Sequence, residues 1–98
     1  MPDAGDIWIA DAGLETRREL VVVSDRRFHE FAQRALVAPI TPSPEIRYPW
    51  FVDLGDGRSA AVHHLRSIAV DRLLDHRSRA DLPVVIALRR AVRQIAAV

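Results

Sequence analysis

Leu20, Val21, Val22 and Val23 form an unbroken, mostly β-branched apolar run closed by Ser24 and Asp25. Such a run fits a central strand covered on both faces, since neither alternating set of side chains suits water. A chain of 98 residues has little material with which to cover two faces. It buries only roughly 60 to 70% of the surface of its unfolded chain, so one modest core is its limit. Two deep domains with a cleft between them are excluded on size. A sizeable ligand is therefore expected in a surface groove or between subunits, and a homo-oligomer is expected.

The rest of the chain reads around that strand. Asp6 to Ala12 alternates, with Ile7 and Ile9 on one face and Trp8 on the other, and Gly13 allows a turn. Asp25 to Arg34 predicts a short helical turn capped by Ser24 or Asp25, and Ala35 to Ile40 another strand, with Pro39 at an end or an edge. Thr41, Pro42, Ser43 and Pro44 read as a loop, because two prolines lack the ladder's donor. Ile46 to Leu54 and Arg58 to Leu65 flank Gly55, Asp56 and Gly57 as a hairpin. A weak strand is expected over His76 to Ala80. Asp81 and Pro83 then open a helix to the C-terminus, with Val85, Leu88, Val92 and Ile95 opposite Arg89, Arg90, Arg93 and Gln94. The sum is mainly β with α. A strongly curled antiparallel sheet or small barrel ends in a C-terminal helix, and residues 1–98 form one domain.

Cysteine is absent, which removes disulfides, thiolate nucleophiles and Cys-bound zinc, and makes the cytoplasm the expected location. The start, Met1 to Asp6, has no basic or apolar leader pattern, and no stretch approaches the roughly 20 apolar residues of a membrane span, so a soluble, unexported chain is expected. All 14 basic residues are arginine, on a formal net charge of +1. Arginine suits bidentate phosphate contact and base stacking, but a codon bias produces the same composition.

Polar groups cluster at the ends of the apolar runs: Arg17 and Arg18, Thr41, and His63, His64 and Arg66. Taken alone, each has two readings. The arginine pair fits a solvated turn or a phosphate clamp, Thr41 a loop starter or a phosphate donor. The histidines fit hydrogen-bonded structure or, with an ordinary pKa near roughly 6.5, acid–base work. In a strand these neighbours point to opposite faces and no third ligand is apparent, so they do not suggest a metal site. Tyr48, Trp50 and Phe51 fit core packing or base stacking, with alternation sending Tyr48 and Trp50 to one face and Phe51 to the other.

In order, the chain shows Gly5-Asp6-Ile7-Trp8, Arg18 before a β-run ending Ser24-Asp25, Pro39-Ile40-Thr41, Tyr48-Pro49-Trp50, then His64-Leu65-Arg66-Ser67-Ile68 followed by Arg72-Leu73-Leu74. This order resembles the MazF/PemK/Kid family of toxin endoribonucleases along nearly the whole chain. The resemblance implies a homodimer of SH3-like barrels that cuts single-stranded RNA at short motifs without a cofactor. The substrate's 2′-hydroxyl attacks, leaving a 2′,3′-cyclic phosphate and a 5′-hydroxyl, and a MazE-like antitoxin lays a disordered C-terminal segment over the RNA groove. It places catalysis on Arg18 and Thr41, with His64 at a position usually Gln and His63 at one usually acidic. RNA contacts are implied for Arg17, Glu15, Ser43, Arg66 and Trp50. Two further departures are Glu19 in place of proline and a shortened connection from Gly13 to Arg17. A CcdB-like gyrase-binding toxin shares the barrel but relies on an aromatic tail, unlike Ile95-Ala96-Ala97-Val98. A degenerate antitoxin-binding homologue is the third reading, motivated by Glu19 beside Arg18.

Overall fold

The structure, a computed structural model, describes residues 1–11 and 17–96. Its elements are β1 Asp6–Asp11, β2 Arg17–Val22, α1 Arg26–Ala32, β3 Arg34–Pro42, β4 Phe51–Gly55, β5 Arg58–Ala61, β6 Arg66–Ala69, β7 Leu73–Arg79 and α2 Leu82–Ile95. The strands pair antiparallel in the order β4-β5-β3-β2-β1-β7, with β6 also on β3. The expected class, a mostly antiparallel sheet ending in a C-terminal helix, is the one that forms.

The run at Leu20 feeds two cores, as its lack of a polar face requires. Val21 packs with Ile7, Ala38, Val52, Ala60 and Val62 beneath Leu88 and Ala91 of α2. Leu20 and Val22 point the other way, into Ala10, Ala35, Val37, Ile68 and Leu73, where β6 and β7 fold over. The α2 stripe is turned slightly from its expected line: Leu88 and Ala91 are buried, Val84, Ala87 and Val92 pack alongside, and Ile95 is exposed. Asp81 caps α2 by accepting from the Val84 amide, and Asp25, rather than Ser24, caps α1.

Ser24 has a different task. His29 is fully buried, with Nδ1 2.7 Å from the Pro2 carbonyl and Nε2 2.5 Å from Ser24 Oγ. A carbonyl only accepts, so Nδ1 carries the proton and Ser24 donates to Nε2, while its oxygen accepts from the Leu36 amide at 2.8 Å. The network ties the N-terminal segment, α1 and β3 together.

Four expectations change. β3 runs through Pro39 and Thr41 to Pro42, and it lies inside the sheet. The prolines are tolerated because β3 changes partner along one edge: Arg34–Val37 pair with β6, Ile40–Pro42 with β5, and Pro39 falls between the two ladders. Ser43 donates to the Gly57 carbonyl, so alternation turns the nitrogen of Pro42 away from β5, where no donor is needed. The hairpin forms, with positive φ at Gly55 (87°), Asp56 (54°) and Gly57 (72°), but its strands are shorter than expected. Residues 46–50 precede the strand, and Val62–His64 wind into a 3-10 turn. The last strand is longer than expected and begins at Leu73.

Candidate active site

The β2–β3 register sets Leu20 against Pro39, and counting two residues further sets Arg18 against Thr41. Alternation also gives them one face. Arg18 shares the side of Leu20 and Val22, while Thr41 shares the side of Ala35 and Val37, the residues of the second core. Arg66 pairs with Val37 and lies two residues from buried Ile68, which brings it to the same side. A guanidinium, a hydroxyl and a second guanidinium thus border the end of one apolar cluster.

The hydroxyl end is supported from β5. Thr41 pairs with Ser59, and Ser59, 3% exposed, shares a 2.7 Å hydrogen bond with Ser43. Ser59 carries no signal in the sequence, yet it fixes the chain just past Thr41. Thr41 Oγ1 itself donates to the Pro42 carbonyl at 3.1 Å and is partly exposed.

Glu19 faces away from Arg18 and holds Arg58 at 2.6 Å. Its carboxylate is compensated there and does not oppose an anion at Arg18, which removes the observation that motivated a degenerate reading. Arg17 pairs in register with Asp11 and lies on the face opposite Arg18, so the structure separates the two arginines. Glu15 lies outside the described residues.

The histidines depart most from expectation. Because Val62–His64 is a 3-10 turn, strand alternation does not divide them; both are exposed, with ring centroids 4.1 Å apart. The turn is anchored by the Val62 amide donating to the Trp50 carbonyl at 2.9 Å. Tyr48 and Trp50 stack at 4.8 Å with planes 4° apart, and His63 sets an edge against Phe51 (4.9 Å) and Trp50 (6.2 Å). Phe51, expected to turn away, joins this cluster through His63. Desolvation pushes the His63 pKa down, and the neighbouring His64 pushes it further in the same direction. Among the described residues, no group of three or more His, Asp or Glu side chains is placed to hold a metal. Nor is any helix long and apolar enough to cross a membrane.

This architecture recurs among solved structures of toxins. An endoribonuclease in complex with its cognate antitoxin, from a mycobacterial species, superposes with a TM-score of 0.86 at 14% identity, covering 100% of this chain and 97% of that one. MazF in a MazE–MazF crystal from Deinococcus radiodurans gives 0.75 at 24% identity, covering 98% and 95%. Mycobacterium tuberculosis toxin MazF-mt6 gives 0.73 at 19%, covering 93% and 95%. No curated protein matches the chain in sequence. The family model for the PemK-like, MazF-like toxin of type II toxin–antitoxin systems matches residues 3–96, and the chain belongs to that family.

Proposed function

We propose that this toxin is an endoribonuclease that cuts single-stranded RNA without a metal, by attack of a 2′-hydroxyl on the adjacent phosphodiester, leaving a 2′,3′-cyclic phosphate and a 5′-hydroxyl. The observation that carries the reading is the β2–β3 register, which sets Leu20 against Pro39 and from which alternation puts Arg18 and Thr41 on one face of neighbouring strands. Negative charge builds on the phosphate oxygens as phosphorus becomes pentacoordinate. Arg18 offers a permanently charged fork of donors to those oxygens, and Thr41 a hydroxyl. Its pKa keeps arginine from serving as base, so proton transfer falls to the imidazoles. His63, its pKa lowered, accepts the 2′-hydroxyl proton, and His64 beside it supplies the second imidazole, for the departing 5′-oxygen. Ser43, Arg66 and Trp50 contact the RNA strand, and Arg17 and Glu15 are assigned to RNA recognition by the family resemblance. The active form is a cytoplasmic homodimer, restrained by a MazE-like antitoxin segment laid over the same groove. The antitoxin-bound state of the mycobacterial structure supports this last point.

The test is to incubate the purified chain and its Arg18→Ala variant with a long mixed-sequence RNA in EDTA, then map cut sites and end groups. Cleavage by the unmodified chain alone, with cyclic phosphate and 5′-hydroxyl ends, is the expected result. No cleavage at any pH between about 6 and 9, the range in which an imidazole mechanism operates, overturns the proposal.

A further inference from the structure

A polar groove of about 210 Å³ is lined by Asp11, Arg34, Arg66, Ser67, Ala69 and Arg72, with Ile68 beneath. Three guanidinia meet one carboxylate here, so the groove is cationic. Within it Arg34 is held in place by Ser67. Nε donates to Ser67 Oγ at 2.7 Å and one terminal nitrogen to the Ser67 carbonyl at 3.1 Å, which fixes the plane of the guanidinium before any ligand arrives. Fixing it in advance lowers the rotamer entropy lost on binding, and the other terminal nitrogen keeps its donors.

The backbone contributes as well. The Val70 amide donates to the Gln33 carbonyl, and the β3–β6 register pairs Ala35 with Ile68. Alternation therefore turns the amides of Ser67 and Ala69, both lining residues, away from β3. Among the described lining residues, Asp11 is the one opposing charge. Its carboxylate stands 3.7 Å from a terminal nitrogen of Arg72, and both side chains are about half exposed, which leaves Arg72 with donors to spare. Arg66, which lines the groove, pairs with Val37 and so shares the side of Arg18, which links the groove to the catalytic face.

We propose that this groove is a second phosphodiester subsite, in which Arg34 and Arg72 hold a phosphate of the bound RNA other than the one at Arg18. The inference rests on the endoribonuclease reading above. Arg34 and Arg72 do not touch the scissile phosphate; they set the register of the strand and thereby which bond is presented.

The experiment measures the affinity of a single-stranded RNA carrying 2′-O-methyl groups, which cannot be cleaved, as a function of salt. It compares the unmodified chain with Arg34→Gln, Arg72→Gln and, as a control on the outer face of α2, Arg93→Gln. Each lost phosphate contact reduces the slope of log K against log salt by about 0.7, so each groove variant loses about two-fold less affinity between about 50 and 150 mM salt. Arg93→Gln keeps the slope of the unmodified chain. On cleavable RNA, KM rises in both groove variants while kcat holds. If Arg34→Gln disturbs β6, Arg72→Gln reports independently from the far side of the groove. Unmodified slopes in both groove variants, with RNA still bound and cut by the unmodified chain, overturn the subsite alone. Failure of the unmodified chain to bind the RNA overturns both the subsite and the endoribonuclease reading.

Discussion

Replacing Asp6 by Asn tests the account of how β7 is held. The carboxylate is almost fully buried, 3% exposed, yet it accepts from Arg79 Nε at 2.7 Å and the Asp3 amide at 2.9 Å, with His76 Nε2 at 3.5 Å. Asn keeps the shape and one acceptor but turns donors toward Arg79. A hydrogen bond to a charged group contributes about 1.5 to 3 kcal/mol, and loss of the buried anion ordinarily strands its partner. Here the side chains of Arg79 and His76 are 59% and 44% exposed and recover water, which sets the cost at the lower end, about 2 kcal/mol. For a domain of this size that lowers Tm by roughly 8 to 16 °C. The pH dependence carries a sign. Burial alone pushes the Asp6 carboxyl up, but the Arg79 hydrogen bond, the Asp3 amide and the charges of Arg79 and His76 outweigh it and hold the pKa below its ordinary value. A depressed carboxyl stabilises the fold fully above the unfolded pKa of roughly 3.9 and loses that contribution as pH falls through the folded value. Thermal melts followed by circular dichroism therefore show a wide gap between the two proteins at pH 7 that closes in strong acid, and a His76→Gln background separates the imidazole's share. A gap absent at pH 7, or equally wide in acid, refutes the reasoning.

Other changes probe the site and its supports. Arg18→Ala lowers kcat by about 10²- to 10³-fold while Tm moves by no more than a few degrees, as loss of a donor to the developing anion requires; an equal fall in Tm marks Arg18 as structural. The acid limb of kcat/KM lies below the ordinary histidine value of roughly 6.5, because burial and then His64 depress His63, and in His64→Gln the limb moves upward as the like charge is removed. A limb that stays fixed or moves down contradicts the assignment of His63 as base. His29→Leu leaves the Ser24 hydroxyl and the Pro2 carbonyl without their buried partner and costs about 2 to 4 kcal/mol in urea unfolding, against almost nothing if the network is not formed. Gly5→Ala costs about 1 to 3 kcal/mol by the same assay: φ is +90° and an added Cβ meets Val85 Cγ2 at 2.6 Å.

Local chemistry is what the sequence reveals well. The Gly55-Asp56-Gly57 turn and the Asp81 cap depend on residues within four positions of one another, and the Leu20 run declares its double burial through composition alone. Pro39 and Pro42 mislead because a proline rule treats a strand as having one partner per edge, whereas β3 hands that edge from β6 to β5 at Pro39. His63 and His64 mislead because alternation presupposes a continuing strand; the chain instead winds tightly as it passes from β5 to β6 along β3. Arg18 and Thr41 are each marked in the sequence by family resemblance, but their shared face depends on a register set across α1. The Asp6–Arg79 pair, 73 residues apart, has no local signal.

Two strands at the sheet's edges, β4 and β7, also bear on how this toxin survives alone. β4 has five residues, and β7 carries Asp75, His76, Arg77 and Arg79 and slips register twice against β1. Short length, charge and irregular register are the devices that stop one sheet from templating another. A toxin released from its inhibitor exposes a surface built to be covered. With these two edge strands blunted in this way, the freed molecule resists edge-to-edge aggregation along them and stays available to its next partner, whether substrate or inhibitor.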